Sequence, residues 1–404
     1  MESTTKESKI TEYIKGIKIL LTNKNYILMM LISICNHIAL NTSKTTLSLY
    51  GKSFGMKGAQ LGALTGTYYL ICLILRPISG PLVDRMNKKV LLSSCFGLKI
   101  LSWIIYAFCK NPTMFTIARY IDAVAFCLIT TCFLAVTSLL IDKKAMGTGL
   151  AIYGGLPSLI VFFLPMVATY MYDNISGSSI YWLGIAGLAL GIVLIQMLDF
   201  SRQEGKGRRG PSKLSFNDLI YLPAVPVCMC SFFINLLLTV NDTYLLLMAE
   251  ERMIQGAAIL FSIMTGLKLV GSVGMGAVAD AFGVKIPLAF ACIATIAASL
   301  LLGSATNIGM IILAGCLYSV AKNGSQPLLQ KAATEVAPRE KRGAAISTNY
   351  FIFDCASTFG GYICALLYNH LGYGGTYYAV AVFPAVGLVW MLLAYRKISE
   401  KTGE

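Results

Sequence analysis

The sequence predicts an all-α membrane protein, with twelve transmembrane helices arranged as two pseudo-symmetric six-helix bundles. Three observations lead there. First, the 404 residues are 56% apolar and only 13% charged, whereas an ordinary soluble domain is about 25% charged. So much apolar surface cannot be hidden from water in one core of this length. Second, the apolar residues form long blocks such as 117–140, 149–172, 180–198 and 374–393. About 20 apolar residues carry a helix across the hydrocarbon layer, and backbone groups there must pair internally. Strands of a membrane barrel alternate over about 10 residues, and these blocks are too long and too uniform for that. Third, a stretch of the first half recurs in the second.

Expected spans are 26–43, 60–83, 90–109, 113–140, 146–171 and 180–199, then 217–247, 255–279, 286–303, 306–330, 343–369 and 374–395. The polar, Lys-rich segment 1–25 shows no small-residue cleavage site after an apolar run, so it reads as a cytoplasmic tail and not a removed signal. Residues 396–404 form a second short tail.

A net charge of +14 raises the question of nucleic acid, and the positions of the charges answer it. With both termini inside, 23 of the 33 Lys and Arg fall on the inner side. Only Lys44, Lys52, Lys57, Lys110 and Arg252 fall outside, and five lie within spans. This is the positive-inside bias, reinforced by attraction to anionic lipid, so no nucleic-acid partner is expected. The 12 cysteines lie in or beside apolar spans without metal-ligand spacing and read as small buried residues. No metal, cofactor, phosphate-cradling loop or nucleophile elbow is found, so an enzyme is not expected.

Residues 200–216 break the apolar pattern with Arg202, Lys206, Arg208, Arg209 and Lys213 among Gly, Ser and Pro. They read as a cytoplasmic linker between bundles 26–199 and 217–395. Gly80, Asp84 and Lys89 after the second span recur as Gly276, Asp280 and Lys285 after the eighth, at an offset of 196. Gly147 and Gly343 share that offset, which marks an internal duplication. Parallel repeats of this kind place a binding site between the halves near mid-membrane.

The run Gly80-Pro-Leu-Val-Asp84-Arg85-Met-Asn87-Lys88-Lys89 resembles the signature of the major facilitator superfamily. Leu75-Arg76-Pro77 and Lys341–Thr348 with Asp354 are similar to its drug-efflux-type, proton-antiporting members. The sequence departs from the pattern in two places. Asn87 stands where Gly is usual, which Asn can imitate by tolerating the left-handed conformation, and residues 162–169 keep the fifth-span antiporter motif poorly. The resemblance implies a secondary transporter that latches its halves through Gly80, Asp84, Arg85, Lys88, Lys89, Gly276 and Asp280. Arg76 is expected to belong to that latch.

Charges inside spans are costly and normally mark pathways. Arg119 and Asp122, three residues apart on one face, read as a proton-coupling pair or as a structural one, with Asp354 as the alternative proton carrier. His37, Asn41 and Lys44 form a stripe, Asn235 and Asp242 another, and Tyr350 shares a face with Asp354. Lys268 and Lys322 have nothing acidic within one turn in their own helices; the candidate anions are Asp354, Asp242 or a substrate carboxylate, and pairing of Lys322 with Asp354 is the plainer reading. Together His37, Asn41, Asn235, Asp242, Lys268, Lys322 and Tyr350 are the expected substrate-binding set, while Lys99 has no role on the sequence alone. The first functional expectation is proton-coupled efflux of amphiphilic small molecules. Uptake or exchange of an organic anion or zwitterion is the second, and a non-transporting sensor of the same fold the third. The partners expected are substrate, protons and lipid, for a monomer in a bacterial inner membrane.

Overall fold

The computed structural model describes residues 22–140, 153, 157, 160–199, 220–338 and 342–402. Among them no strand occurs. The helices are α1 Lys24–Ser53, α2 Gly58–Arg85, α3 Lys88–Ala107, α4 Pro112–Leu140, α5 Leu164–Asn174 and α6 Ser179–Gln196. The second half supplies α7 Val225–Glu251, α8 Ile259–Gly266, α9 Lys268–Phe282, α10 Lys285–Gly303, α11 Ile308–Val336, α12 Arg342–Val380 and α13 Val382–Thr402. Nine described helices are long and apolar enough to cross a membrane singly, and α8 with α9 passes as one bent pair. The nine include the run 345–393, which is two crossings, because Gly372 breaks α12 with φ 65° and ψ −168°. The chain reverses there, where only glycine is unstrained. With α5 as the described end of the fifth crossing, the architecture matches the twelve-span prediction. The expected linker 200–216 and Gly147 lie outside the described residues.

Several boundaries move for physical reasons. The first span was expected to stop at residue 43, with Lys44 outside it. Instead α1 continues to Ser53, since Thr42 Oγ1 donates to Ile38 O (2.8 Å) and Thr45 Oγ1 to Asn41 O (2.9 Å). Hydroxyls that donate back into their own helix leave no polar group unpaired, so Lys44 is a helical residue and not part of an outer loop. The eighth span is broken at Leu267 by 47°. In the fifth, a turn at 161–163 precedes α5. Pro165 sits in the first turn of α5, where its missing N–H has no helical partner to lose.

The run from Gly80 was expected to be a loop as far as Lys89, yet helix α2 persists to Arg85. Asn87 does not mimic a left-handed glycine. Its φ is −58°, and its side chain accepts from Lys89 N and Val90 N as the N-cap of α3. Its counterpart Gly283 does take positive φ, 81°, to end α9. Asparagine opens one helix where glycine closes another, so the two repeats solve the same turn differently.

Small residues set the helix spacing. In α2, Gly58 lies under Tyr368, Gly62 under Ala365 and Gly66 against Thr358 and Tyr362 of α12. A Cβ on Gly361 would fall on the backbone of Gly66 and within 2.8 Å of Gly62 O. Gly271 packs the same way on Val320 of α11, but Gly274 and Gly276 face open space, so only the first of that trio is a packing residue. Overpacking typically costs about 1–3 kcal/mol, and more where backbone is struck. Gly361→Val is therefore expected to lower the melting temperature of the purified protein by several degrees. Gly97→Ala, with nothing within 4 Å of its added carbon, leaves it unchanged. Equal melting curves for the two would refute the α2–α12 contact.

Candidate functional site

Polar groups concentrate where α1, α2, α3, α4 and α7 converge. A cavity of about 80 Å³ opens there, lined by Lys44, Thr65, Tyr68, Tyr69, Lys99, Trp103, Arg119, Asp122, Phe126 and Asp242 among others. Asp122 on α4 is held from two sides. Lys99 Nζ donates to Oδ1 at 2.9 Å, and Arg119 Nη1 lies 3.5 Å from Oδ2. Lys99 and Asp122 are 1% and 4% exposed, Arg119 9%. The Arg119 guanidinium stacks 3.7 Å above the Tyr68 ring, and the Lys99 ammonium lies 5.8 Å from the Trp103 ring. Both contacts place a cation on the electron-rich face of an aromatic. The expected Arg119–Asp122 pair is thus present, but as the weaker arm of a triad, and Lys99 now has a place.

Ion pairs also join the first six helices to the rest. Lys44 on α1 meets Asp242 on α7 at 2.7 Å, Lys52 meets Glu250 at 3.0 Å, and Arg76 on α2 meets Asp354 on α12 at 2.6 Å. Arg76 grips Asp354 with two nitrogens, Nε on Oδ2 and Nη2 on Oδ1 at 3.3 Å, the fork that makes guanidinium–carboxylate pairs specific. The Lys44–Asp242 contact is close, yet neither Asp242 oxygen has a well-aligned hydrogen bond. The Lys52–Glu250 pair is half-exposed and contributes little. Around these pairs Thr243 Oγ1 donates to Thr65 Oγ1 (3.2 Å) and Tyr244 Oη to Gly58 O (3.0 Å).

Other expected site residues are placed differently. Asp354 faces Arg76, so it is not the partner of Lys322, and Arg76 is tied to α12 and not to the signature turn. His37 bonds Ser33 O (2.8 Å), Asn41 donates to His37 O (2.9 Å) and Asn235 to Ser231 O (2.7 Å). These are bonds along their own helices, and none of the three lines the cavity. Tyr350 is 39% exposed while Asp354, one turn on, is 1% exposed. The structure does not bring them to one surface. Lys322 makes no ion pair among the described residues, but it interacts electrostatically with Lys44, Asp242 and Lys268, and Lys268 with His37. In the signature turn, Lys89 Nζ donates to Gln196 O (2.7 Å) at the end of α6. Lys88 opens α3, and Gly276 faces open space. The side chains of Asp84, Arg85 and Asp280 lie outside those described.

Sequence reasoning left Lys99 without a role, put Lys44 in a stripe with His37 and Asn41 and Arg76 in the latch, and missed the aromatic lining. The charges had a usable signal, because a buried mid-span cation needs a partner. Tyr68, Tyr69, Trp103 and Phe126 had none, since aromatics are common on any membrane helix.

Multi-pass helices with buried charges beside a cavity are the architecture of membrane carrier families. The chain belongs to the major facilitator superfamily: the family model described as Major Facilitator Superfamily matches residues 29–249 and 227–404. An uncharacterized symporter, YnaJ of Bacillus subtilis (strain 168), is 25% identical over 232 residues, covering 52% of this chain and 50% of that protein. The quinolone resistance protein NorA of Staphylococcus aureus (strain N315) is 25% identical over 208 residues, 49% of this chain and 52% of that protein. The chain thus spans about half the length of these curated relatives. In fold it is similar to the nucleoside transporter NupG (TM-score 0.75, 13% identity, 92% of this chain and 99% of that chain covered). It is also similar to a POT family transporter in complex with 5-aminolevulinic acid (TM-score 0.78, 13% identity, 93% and 97% covered).

The triad makes an asymmetric prediction. Lys99→Met leaves Arg119 to neutralise Asp122 and should be tolerated. Asp122→Asn leaves two buried cations facing each other, and breaking such a pair costs about 3–5 kcal/mol. Adding Lys99→Met to Asp122→Asn should recover most of that loss in thermal denaturation. Equal destabilisation by both single substitutions would show that Arg119 does not reach Asp122.

Proposed function

We propose that the protein is a secondary active transporter that moves a small organic solute by alternating access between bundles 26–199 and 217–395. The observation that carries this is the set of ion pairs, Lys44–Asp242 and Arg76–Asp354, that bridge the two halves beside a charged cavity. Such contacts hold one arrangement and must be given up in another, which is what a two-state carrier needs. Asp354 is the coupling carboxylate we favour over Asp122. Its cation sits on the opposite half, so binding a proton at Asp354 removes the charge that holds α2 to α12, whereas Asp122 is tied to its own bundle. The signature residues Gly80, Asp84, Arg85, Lys88, Lys89, Gly276 and Asp280 keep their proposed latch role at the ends of α2 and α9. Proton-coupled efflux of amphiphilic compounds is the reading that the similarity to NorA supports. Both termini are proposed to be cytoplasmic, in a bacterial plasma membrane.

Two measurements test this. In inverted vesicles a quinolone, chosen from the name of that relative, should accumulate on acidification of the lumen, and a protonophore should abolish it. Asp354→Asn should remove the gradient dependence, and Asp122→Asn in the Lys99→Met background should keep it. Transport indifferent to protonophore sinks proton coupling, and absence of flux for any organic solute favours a sensor. For topology, Ser3→Cys in a background lacking the native cysteines should resist impermeant maleimide in intact cells, and labelling there reverses the orientation.

A further inference from the structure

The cavity has more positive charge than it uses. Lys44 and Asp242 cancel, and so do Lys99 and Asp122. Arg119 is then left over. Arg119 is 9% exposed and lines the cavity. Its one ionic contact, Nη1 to Asp122, is long at 3.5 Å, and its Nε has no hydrogen-bond acceptor. Guanidinium offers five donors in a fixed plane and does not lose its proton in proteins. Beside it, Trp103 is fully buried, lines the same cavity, and its Nε1 also lacks an acceptor. Two orphaned donors from two helices at one cavity are costly unless something accepts from them. Lys322 on α11, outside the lining, makes no ion pair among the described residues and interacts electrostatically with Lys44 and Asp242, which do line the cavity. The remaining walls are flat and apolar: the rings of Tyr68, Tyr69 and Phe126.

We propose that Arg119 is a substrate anchor, and that the cavity takes an aromatic organic anion. A carboxylate of the ligand accepts from Arg119 Nε and Trp103 Nε1, its ring lies against Tyr69 and Phe126, and a second negative group is drawn toward Lys322. A carboxylate oxygen suits both donors, because paired N–H groups bind planar oxyanions in the fork geometry. Neutral ligands would leave the surplus positive charge of Arg119 uncompensated, and cations would add to it. This assignment rests on the cavity being the transport site, and it names the substrate class of that site. It also gives Arg119 a role other than proton coupling.

Binding, measured without any gradient, separates the two ideas. The full-length protein in lipid nanodiscs is titrated calorimetrically with four ligands that share one ring: benzoate, terephthalate, benzamide and phenyltrimethylammonium. Terephthalate should bind several-fold more tightly than benzoate, and the amide and the cation should give no measurable heat. Arg119→Gln leaves the Lys99–Asp122 pair intact and should weaken terephthalate at least tenfold with little change in the ligand-free melting temperature. Lys322→Gln should abolish the preference for terephthalate over benzoate. If Arg119→Gln does not fold, Trp103→Phe, which removes the Nε1 donor with the five-membered part of the ring, should still weaken both acids. Tight binding of the cation or amide, no preference for two charges, or unchanged affinity in the Arg119 and Trp103 variants overturns the assignment. Anion binding without flux of any organic solute would leave Arg119 as the ligand anchor and remove the transport reading. Flux of cations alone would do the reverse.

Discussion

A carboxylate buried within a lipid-spanning helix must find a cation, and Asp354 finds Arg76 on the other half of the molecule. Much else follows from that constraint. To let two guanidinium nitrogens reach both carboxylate oxygens, α2 and α12 must run close together. Glycines 58, 62, 66 and 361 remove the side chains that would keep them apart. Close packing and charge pairing are therefore one feature at two scales. Attraction in the low-dielectric interior is strong enough to hold the helices, and the absence of Cβ atoms allows the approach. Such a pair adds little net stability, because desolvating both ions offsets most of the gain. What it does supply is a definite arrangement of the halves that can be lost as a unit when the charge changes.

The site obeys the same rule with a different outcome. Lys44, Lys99, Asp122 and Asp242 find one another across helices, and the pairs cancel. Arg119 satisfies itself only in part: its plane lies on Tyr68, which meets one face of the cation but supplies no hydrogen-bond acceptor. A ligand bound at that point would be the partner of both donors.

Much of this was legible before any coordinates. Apolar blocks, the positive-inside bias and the repeated Gly–Asp spacing lead to twelve spans in two halves, because those signals are local and additive along the chain. The charges expected to matter, Arg119, Asp122, Asp242 and Asp354, are buried and paired. Which charge meets which was not legible. Lys322 was the expected partner of Asp354, Arg76 was expected in the signature latch, and Lys99 had no partner in view. The signature turn shows the limit on a smaller scale: Asn87 was expected to copy a glycine by its backbone, and it caps α3 with its side chain instead.

The sequence by itself determined the solvent, the helices and the class of molecule, because lipid imposes one test on every stretch of about twenty residues and the test can be applied without knowing the neighbours. Only the tertiary structure decided the pairings. Ions on different helices are far apart along the chain, 278 residues in the case of Arg76 and Asp354, and no periodicity within a helix records the angle at which two helices cross. It likewise decided that the cavity gathers Tyr68, Tyr69, Trp103 and Phe126 beside Arg119. Convergence of that kind depends on where helix axes meet and how far each is rotated, which packing of the whole bundle settles.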